Sequence, residues 1–404
     1  MAAIVTTRTM SSIVITQAML TTTTQGIRIG SARLNKALMH KAIDDRSVAV
    51  PDADTQGVLT RLTKSENNAV LHTEESSEIS QVNEGLLYDD LFQSMWKRRL
   101  GVMWKPQVKR WVYNGVQNVG RLTKSILDGT YKSHAPSPVQ IYYPKRRTVM
   151  SIPFRDRVWQ GYLNDSYIYP IMTKSFIWAN MASQINKGTD KARELLKKYL
   201  WNHYTHDGLN GYVLQIDIHH YYQTIPRDKA LELFKRRLPG SLYGYVEEII
   251  NSQYQDSFFA GSQLIQILGI AYLDEIDHFI KERLHIRYYI RYQDDFILMH
   301  RDREILENAL RCIEEKLLEL GLTLNTKKTR IYDINKDIPF LGFYYTLRES
   351  GKIYMRVNPK RIKDIRRRLK RHPQSFPSYL GFLEKGDSQK IIERLREEFE
   401  YAEN

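Results

Sequence analysis

Among 404 residues the sequence has a single cysteine, Cys312. One thiol closes no intramolecular disulfide and builds no cysteine zinc site, so neither staples this chain. The histidines are scattered, with no HExxH arrangement of a zinc hydrolase. No run approaches the ~18 consecutive apolar residues of a membrane-crossing helix, so no membrane association is expected. Residues 1–30 lack the continuous apolar centre of a secretory signal. Their Ser and Thr content and scarcity of acids give only a faint likeness to an organelle-targeting peptide, and a cytoplasmic protein is expected. Acids are also outnumbered: Lys and Arg total 60 against 46 Asp and Glu, a net charge of +14. Such a surplus draws polyanions and makes their binding salt-dependent; the plain alternative is a basic, solvated surface. Hydrophobic residues make up 42%, enough for a sizeable core without covalent braces.

Residues 1–85 are polar and weakly patterned, with TTTT at 21–24, and read as an N-terminal extension of uncertain order. From Leu87 the chain turns aromatic, basic and helical in period as far as Tyr131, interrupted at Pro106. The segment 139–160, VQIYYPKRRTVMSIPFRDRVWQ, predicts two strands joined by a basic turn and then a helix starting at Arg155. ELLKKYLWNHY at 194–204 is helical in period. GYVLQIDIHHYY at 211–222 begins as a buried strand. RYYIRYQDDFILMH at 287–300 predicts a hairpin with acids in its turn. ILENALRCIEEKLLELG at 305–321 is a helix stopped by Gly321. Residues 340–357 predict two strands around Glu349–Gly351, and the tail from Pro359 is helical and basic, broken near Pro373–Pro377. The order strand, helix, strand pair, helix, strand around the acids predicts an α+β fold, an antiparallel sheet backed by helices.

Asp294 and Asp295 lie among Ile290, Phe296, Ile297 and Leu298. Asp217 follows Val213, Leu214 and Ile216. Carboxylates this close to apolar strands are costly without a positive partner. A lone Asp-Asp pair would read as an ordinary turn. Three carboxylates at strand ends can instead hold two Mg²⁺ ions, which suit oxygen ligands and keep their waters. Such a pair serves in-line phosphoryl transfer.

RYQDDFIL at 291–298 resembles the YxDD box of reverse transcriptases. QIDIHHYYQTI at 215–225 resembles their first palm motif, with an aromatic, Tyr222, five positions after the Asp. AGSQLIQILGIAYLDEIDHFI at 260–280 resembles the glycine-containing motif between them. LTLNTKKTRIY at 322–332 and FLGFYY at 340–345 look like the last two palm motifs. KRRTVMSIPFRDRVWQ at 145–160, INKGTDKARELL at 185–196 and SYLGFLE at 378–384 resemble the fingers segment, the lysine-glycine-threonine stretch and a thumb segment.

The resemblance implies a right-hand polymerase: fingers and the start of the palm over 86–210, palm over 211–348 and a short helical thumb over 349–404. Asp217, Asp294 and Asp295 would be catalytic and, with Ile218, hold two Mg²⁺, which Mn²⁺ can replace. Tyr222 would be the steric gate against a 2′ hydroxyl, implying deoxynucleoside triphosphates. Lys145, Arg146, Arg147 and Arg155 would hold the triphosphate, since Arg grips phosphate bidentately and Lys as a point charge. Gly261 would lie near the nucleotide, and of the adjacent Lys327 and Lys328 the latter joins the nucleotide set. Leu341, Gly342 and Phe343 would form the primer grip. The helix KRIKDIRRRLKRH at 360–372 would pack Ile362, Ile365 and Leu369 on the body. Its Lys360, Arg361, Lys363, Arg366, Arg367 and Lys370 would meet a nucleic-acid backbone.

The sequence departs from the family at Ala260, where many members have Gln, and at Ile265 and Gln266, where Ser-Pro is common. Two retron-type signatures are missing from their places: no Asn-Ala-x-x-His stands beside the first palm motif, and FLGF takes the place of Val-Thr-Gly. The short tail leaves an added maturase, endonuclease or ribonuclease H domain unexpected. The resemblance therefore points to a bacterial RNA-directed DNA polymerase of the anti-phage defence groups, templated by a dedicated structured noncoding RNA and yielding DNA. An accessory protein or homo-oligomer would be compatible. The alternatives are a diversity-generating retroelement enzyme, template-independent or protein-primed synthesis, and a catalytically retired nucleic-acid-binding module.

Overall fold

Period-two patterning in the middle of the chain decides where its two cores lie. The computed structural model describes residues 84–399, except 142–146, 255–256 and 260. The central sheet has four antiparallel strands in the order β4 (Tyr288–Tyr292), β5 (Asp295–His300), β3 (Tyr212–Asp217) and β6 (Arg330–Asp333). Both of its faces are covered. Leu214, Ile216, Tyr289, Phe296 and Leu298 enter one core, with the helices Gln263–Ala271 and Arg303–Glu319. Val213, Tyr288, Ile290, Ile297 and Met299 enter the other, with the helix Thr189–Asp207. Successive side chains point to opposite faces, so near-continuous apolar strands are what a doubly covered sheet requires.

Two smaller sheets flank this one. A hairpin pairs β1 (Ser137–Ile141) with β2 (Arg147–Ser151). A meander joins β7 (Ile338–Phe340), β8 (Phe343–Leu347) and β9 (Ile353–Val357). The architecture is mixed α+β, with an open antiparallel sheet flanked by helices.

The amino-terminal described part is a trio of helices, Glu84–Arg98, Pro106–Tyr113 and Gly115–Leu127. Pro106 does more than interrupt the first: it starts the second, where its missing N–H costs nothing and its fixed φ suits the helix. Pro373 and Pro377 behave alike, opening a 3₁₀ turn and the helix Phe376–Leu383. Gly321, at φ +78°, ends the helix Arg303–Glu319 as expected. The basic helix, Pro359–Leu369, is capped by the Asn358 side chain on the Lys360 N–H and buries Ile365 and Leu369 against the second core. Among the described residues no helix is long and apolar enough to cross a membrane.

Candidate active site

The distant acids meet because of strand register. In the β3–β5 pairing Asp217 stands directly opposite Asp295. In the β4–β5 hairpin Tyr292 pairs with Asp295, leaving Gln293 and Asp294 as a two-residue turn. Like charges directly across an antiparallel pair destabilise it, so the chain carries a repulsion that its own strands cannot relieve.

The protein answers it partly with one cation. Lys328 Nζ donates to Asp217 Oδ1 at 2.6 Å, and Asn325 Nδ2 donates to Asp217 Oδ2 at 2.9 Å. The Asn325 N–H also bonds the Asp217 carbonyl at 2.8 Å. That bond brings the 325–328 segment alongside the end of β3. The contact with Asp217 raises the Lys328 pKa. The other two acids keep their strain. Burial, then the charge of Asp217, pushes the Asp294 carboxyl up. Asp295 retains solvent access at the sheet end, yet burial and then the charges of Asp294 and Asp217 raise it to about 7.

A cleft of about 600 Å³ opens here, lined by Asp217, Ile218, Tyr222, Asp294, Asn325 and Lys328 among others. Asp295, Arg155, Gly261 and the Leu341–Phe343 segment lie outside that lining. Tyr222 sits on a short helical turn, Tyr221–Thr224. Burial, followed by the charge of Asp294, lifts its hydroxyl to about 12. Ile218 is buried, bridged to Leu324.

The remaining expected residues are dispersed. Arg155 lies over the Tyr131 ring and bonds Asp156 and the Lys132 carbonyl. Gly261 faces β2, where a Cβ would stand 3.0 Å from the Met150 carbonyl. Lys145 and Arg146 lie outside the described residues, and Arg147 opens β2 opposite Ile141. Leu341 and Gly342, at φ +47° and +89°, form the two-residue turn between β7 and β8. Positive φ at both central positions is the twist-compatible hairpin geometry. Arg193 donates to the Leu341 carbonyl at 3.1 Å and stacks on Phe343. On the basic helix, Lys360, Lys363 and Lys370 are exposed. Arg361 lies over Phe382, Arg366 pairs with Glu398 and Arg367 with Asp364.

Among the described residues no group of three or more His, Cys, Asp or Glu side chains is gathered tightly enough to hold a metal. The donor chemistry nevertheless fits a divalent cation. All three acids offer oxygens, burial and then the charges of their neighbours raise two of them, and an ammonium already occupies one face of Asp217.

Sequence reasoning missed the support behind the turn. Arg291 and Asp277 are both wholly buried. The guanidinium grips Asp277 at 2.5 and 2.6 Å, and its Nη1 donates to the Gln293 carbonyl at 2.9 Å. Lys187 donates to the carbonyls of Ile177, Trp178 and Asn180, tying a loop whose backbone pairs with Arg291. Burial lowers this lysine to about 8. The one available signal was alternation. Arg291 shares the face of Tyr289, so a charge had to enter a core and needed a partner.

Residues 168–345 match the reverse transcriptase (RNA-dependent DNA polymerase) family. The chain thus carries a reverse-transcriptase-like domain, which supports a polymerase-type, nucleotidyl-transferring enzyme in general terms. No curated protein matches the chain. Among solved structures, a telomerase from Candida albicans in complex with a fragment of telomeric RNA aligns at 14% identity and a TM-score of 0.41, over 62% of this chain and 50% of that one. A telomerase from Candida tropicalis with a telomeric RNA fragment aligns at 12% identity and 0.40, over 55% and 44%. An apo form truncated of its C-terminal domain aligns at 12% and 0.39, over 60% of each chain.

Proposed function

We propose that the chain is an RNA-directed DNA polymerase that extends DNA with deoxynucleoside triphosphates, using two Mg²⁺ ions that Mn²⁺ can replace. The observation that carries this reading is the facing of Asp217 and Asp295 across β3 and β5, with Asp294 on the adjoining turn, inside the stretch that matches the family. Residues 86–210 would serve as fingers, 211–348 as palm and 349–404 as thumb. Asp217, Asp294 and Asp295, with the Ile218 carbonyl, would hold the ions. Bound there, the ions would clamp the attacking and leaving oxygens of phosphoryl transfer. Lys328, which stands at Asp217, would serve the triphosphate. Tyr222 would close the sugar side of the cleft. Lys145, Arg146, Arg147, Arg155 and Gly261 would serve the nucleotide from the fingers side. Leu341–Phe343 would hold the primer end, and the exposed face of Pro359–Leu369 the duplex backbone.

The biological setting is read as bacterial anti-phage defence with a dedicated structured noncoding RNA as template. It is supported by the departures at Ala260, Ile265 and Gln266. The test is DNA synthesis by protein copurified with its cellular RNA, with the product sequenced and Asp294→Ala/Asp295→Ala as control. A Mg²⁺-dependent product copied from that RNA, absent in the control, is expected. A product matching no RNA would overturn the templated reading in favour of untemplated or protein-primed synthesis. No product across a panel of primers and templates would favour a binding module.

A further inference from the structure

The ring of Tyr222 is held from several sides, and the holding group belongs to the acid-bearing turn. The Tyr222 hydroxyl donates to Gln293 Oε1 at 2.9 Å. Gln293 Nε2 donates onward to Ser183 Oγ at 2.9 Å. Behind the ring lies Gly269, where a Cβ would come within 2.7 Å of the ring's Cε1 and hydroxyl. Only glycine permits that approach. Gln293 is itself fixed. It adopts φ +58°, uncommon for a non-glycine residue. Its carbonyl accepts from Arg291 at 2.9 Å, and Arg291 is locked in its buried pair with Asp277.

Gln293 immediately precedes Asp294. One two-residue turn therefore carries both a cleft carboxylate and the group that pins the ring. Packing against Tyr221 and Gly269 limits the ring on its inner side, and the bond to Gln293 closes the outward rotamers. A ring excludes a sugar hydroxyl only as well as it resists being pushed aside. Here, pushing it toward Gly269 meets backbone, and swinging it outward breaks the bond to Gln293.

We propose that Gln293 is a positioning residue that sets sugar selectivity: it latches the Tyr222 ring against Gly269, in register with Asp294. The proposal rests on the reading of Tyr222 as the sugar gate. The competing view is that Gln293 only stabilises its hairpin. That role would alter stability, or turnover with both sugars alike. The latch alters the ratio between them.

The experiment uses the full chain with its copurified RNA. It measures kcat/KM for a deoxynucleotide and the matching ribonucleotide, with melting temperature recorded in parallel. The variants are Gln293→Met, Tyr222→Phe and their combination. Each single variant is expected to lower the deoxy-to-ribo ratio by roughly 3- to 10-fold, the worth of one hydrogen bond. The double variant should lower it no further than either single, because both remove the same bond. Ser183→Ala cuts the far end of the latch without touching the turn and should lower the ratio by a smaller factor; it also decides the matter if Gln293→Met does not fold. A ratio unchanged in Gln293→Met and Ser183→Ala, while wild type discriminates, overturns the latch alone. Additive losses in the double variant do the same. Wild-type protein that takes both sugars equally, or neither, overturns the gate reading and the latch with it.

Discussion

Replacing Asp295 with Asn should stabilise the protein in metal-free buffer at pH 8 while abolishing synthesis. Asp295 faces Asp217 across the strands and adjoins Asp294, and its carboxyl is raised from 3.8 to about 7 by burial and those two charges. The sign follows from proton linkage. A carboxyl whose folded pKa exceeds its unfolded value favours folding fully below the unfolded pKa. That advantage is lost as pH rises from about 4 through 7. In a dry interior the difference would amount to roughly 4 kcal/mol. Asp295 keeps solvent access, and screening reduces the figure to about 1–2 kcal/mol. For a chain of this size that is on the order of 1–3 °C in Tm. Asparagine keeps the shape and removes the charge. The assay is thermal unfolding with a chelator at pH 5 and pH 8. The variant should exceed wild type at pH 8, and the gain should shrink at pH 5, where the folded protein begins to hold the proton. A variant less stable at pH 8, or equally favoured at both pH values, would refute the electrostatic account of the turn.

Lys328→Gln removes the cation that, among the described residues, pairs with Asp217. It should lower Tm in chelator at pH 8 and enlarge the rise in Tm on adding Mg²⁺; an unchanged Mg²⁺ increment would count against a cation site at these acids. Arg291→Met strands the buried Asp277 carboxylate and should cost about 3–5 kcal/mol. Arg291→Met with Asp277→Leu should recover most of that in denaturant unfolding. Converting Lys360, Lys363 and Lys370 to Gln should weaken duplex binding and flatten its log–log salt dependence by up to about 0.9 per lost phosphate contact. An unchanged slope in a binding titration would remove this helix from the nucleic-acid surface.

Much of the site was legible because its signals are local. Alternation in VLQID and YYIRY, an acid pair between apolar strands, and glycine after a helix each act over a few residues. Backbone geometry turns them into structure without distant information. A hairpin with acids at its turn was readable in this way, although Asp295 belongs to β5 and Gln293 takes its place in the turn, and so were the end of the helix at Gly321 and the buried stripe of Pro359–Leu369. Pro106 was read as a break when it is also a beginning, since its local chemistry permits either.

Tertiary structure decided what depends on neighbours far apart in sequence. Alternation puts Asp217 on one face of its strand but does not say which strand lies beside it; only the β3–β5 register sets it opposite Asp295. Two adjacent lysines look alike in sequence, and the Asn325 bond to the Asp217 carbonyl turns Lys328, rather than Lys327, onto the carboxylate. Arg155 has the chemistry to grip phosphate, and only packing sets it over Tyr131, beside Asp156 and the Lys132 carbonyl. The partners of Arg291 and of the Tyr222 hydroxyl belong to the same class. A side-chain hydrogen bond forms only within about 3 Å, and that proximity is created by packing elements whose contacts no local pattern encodes.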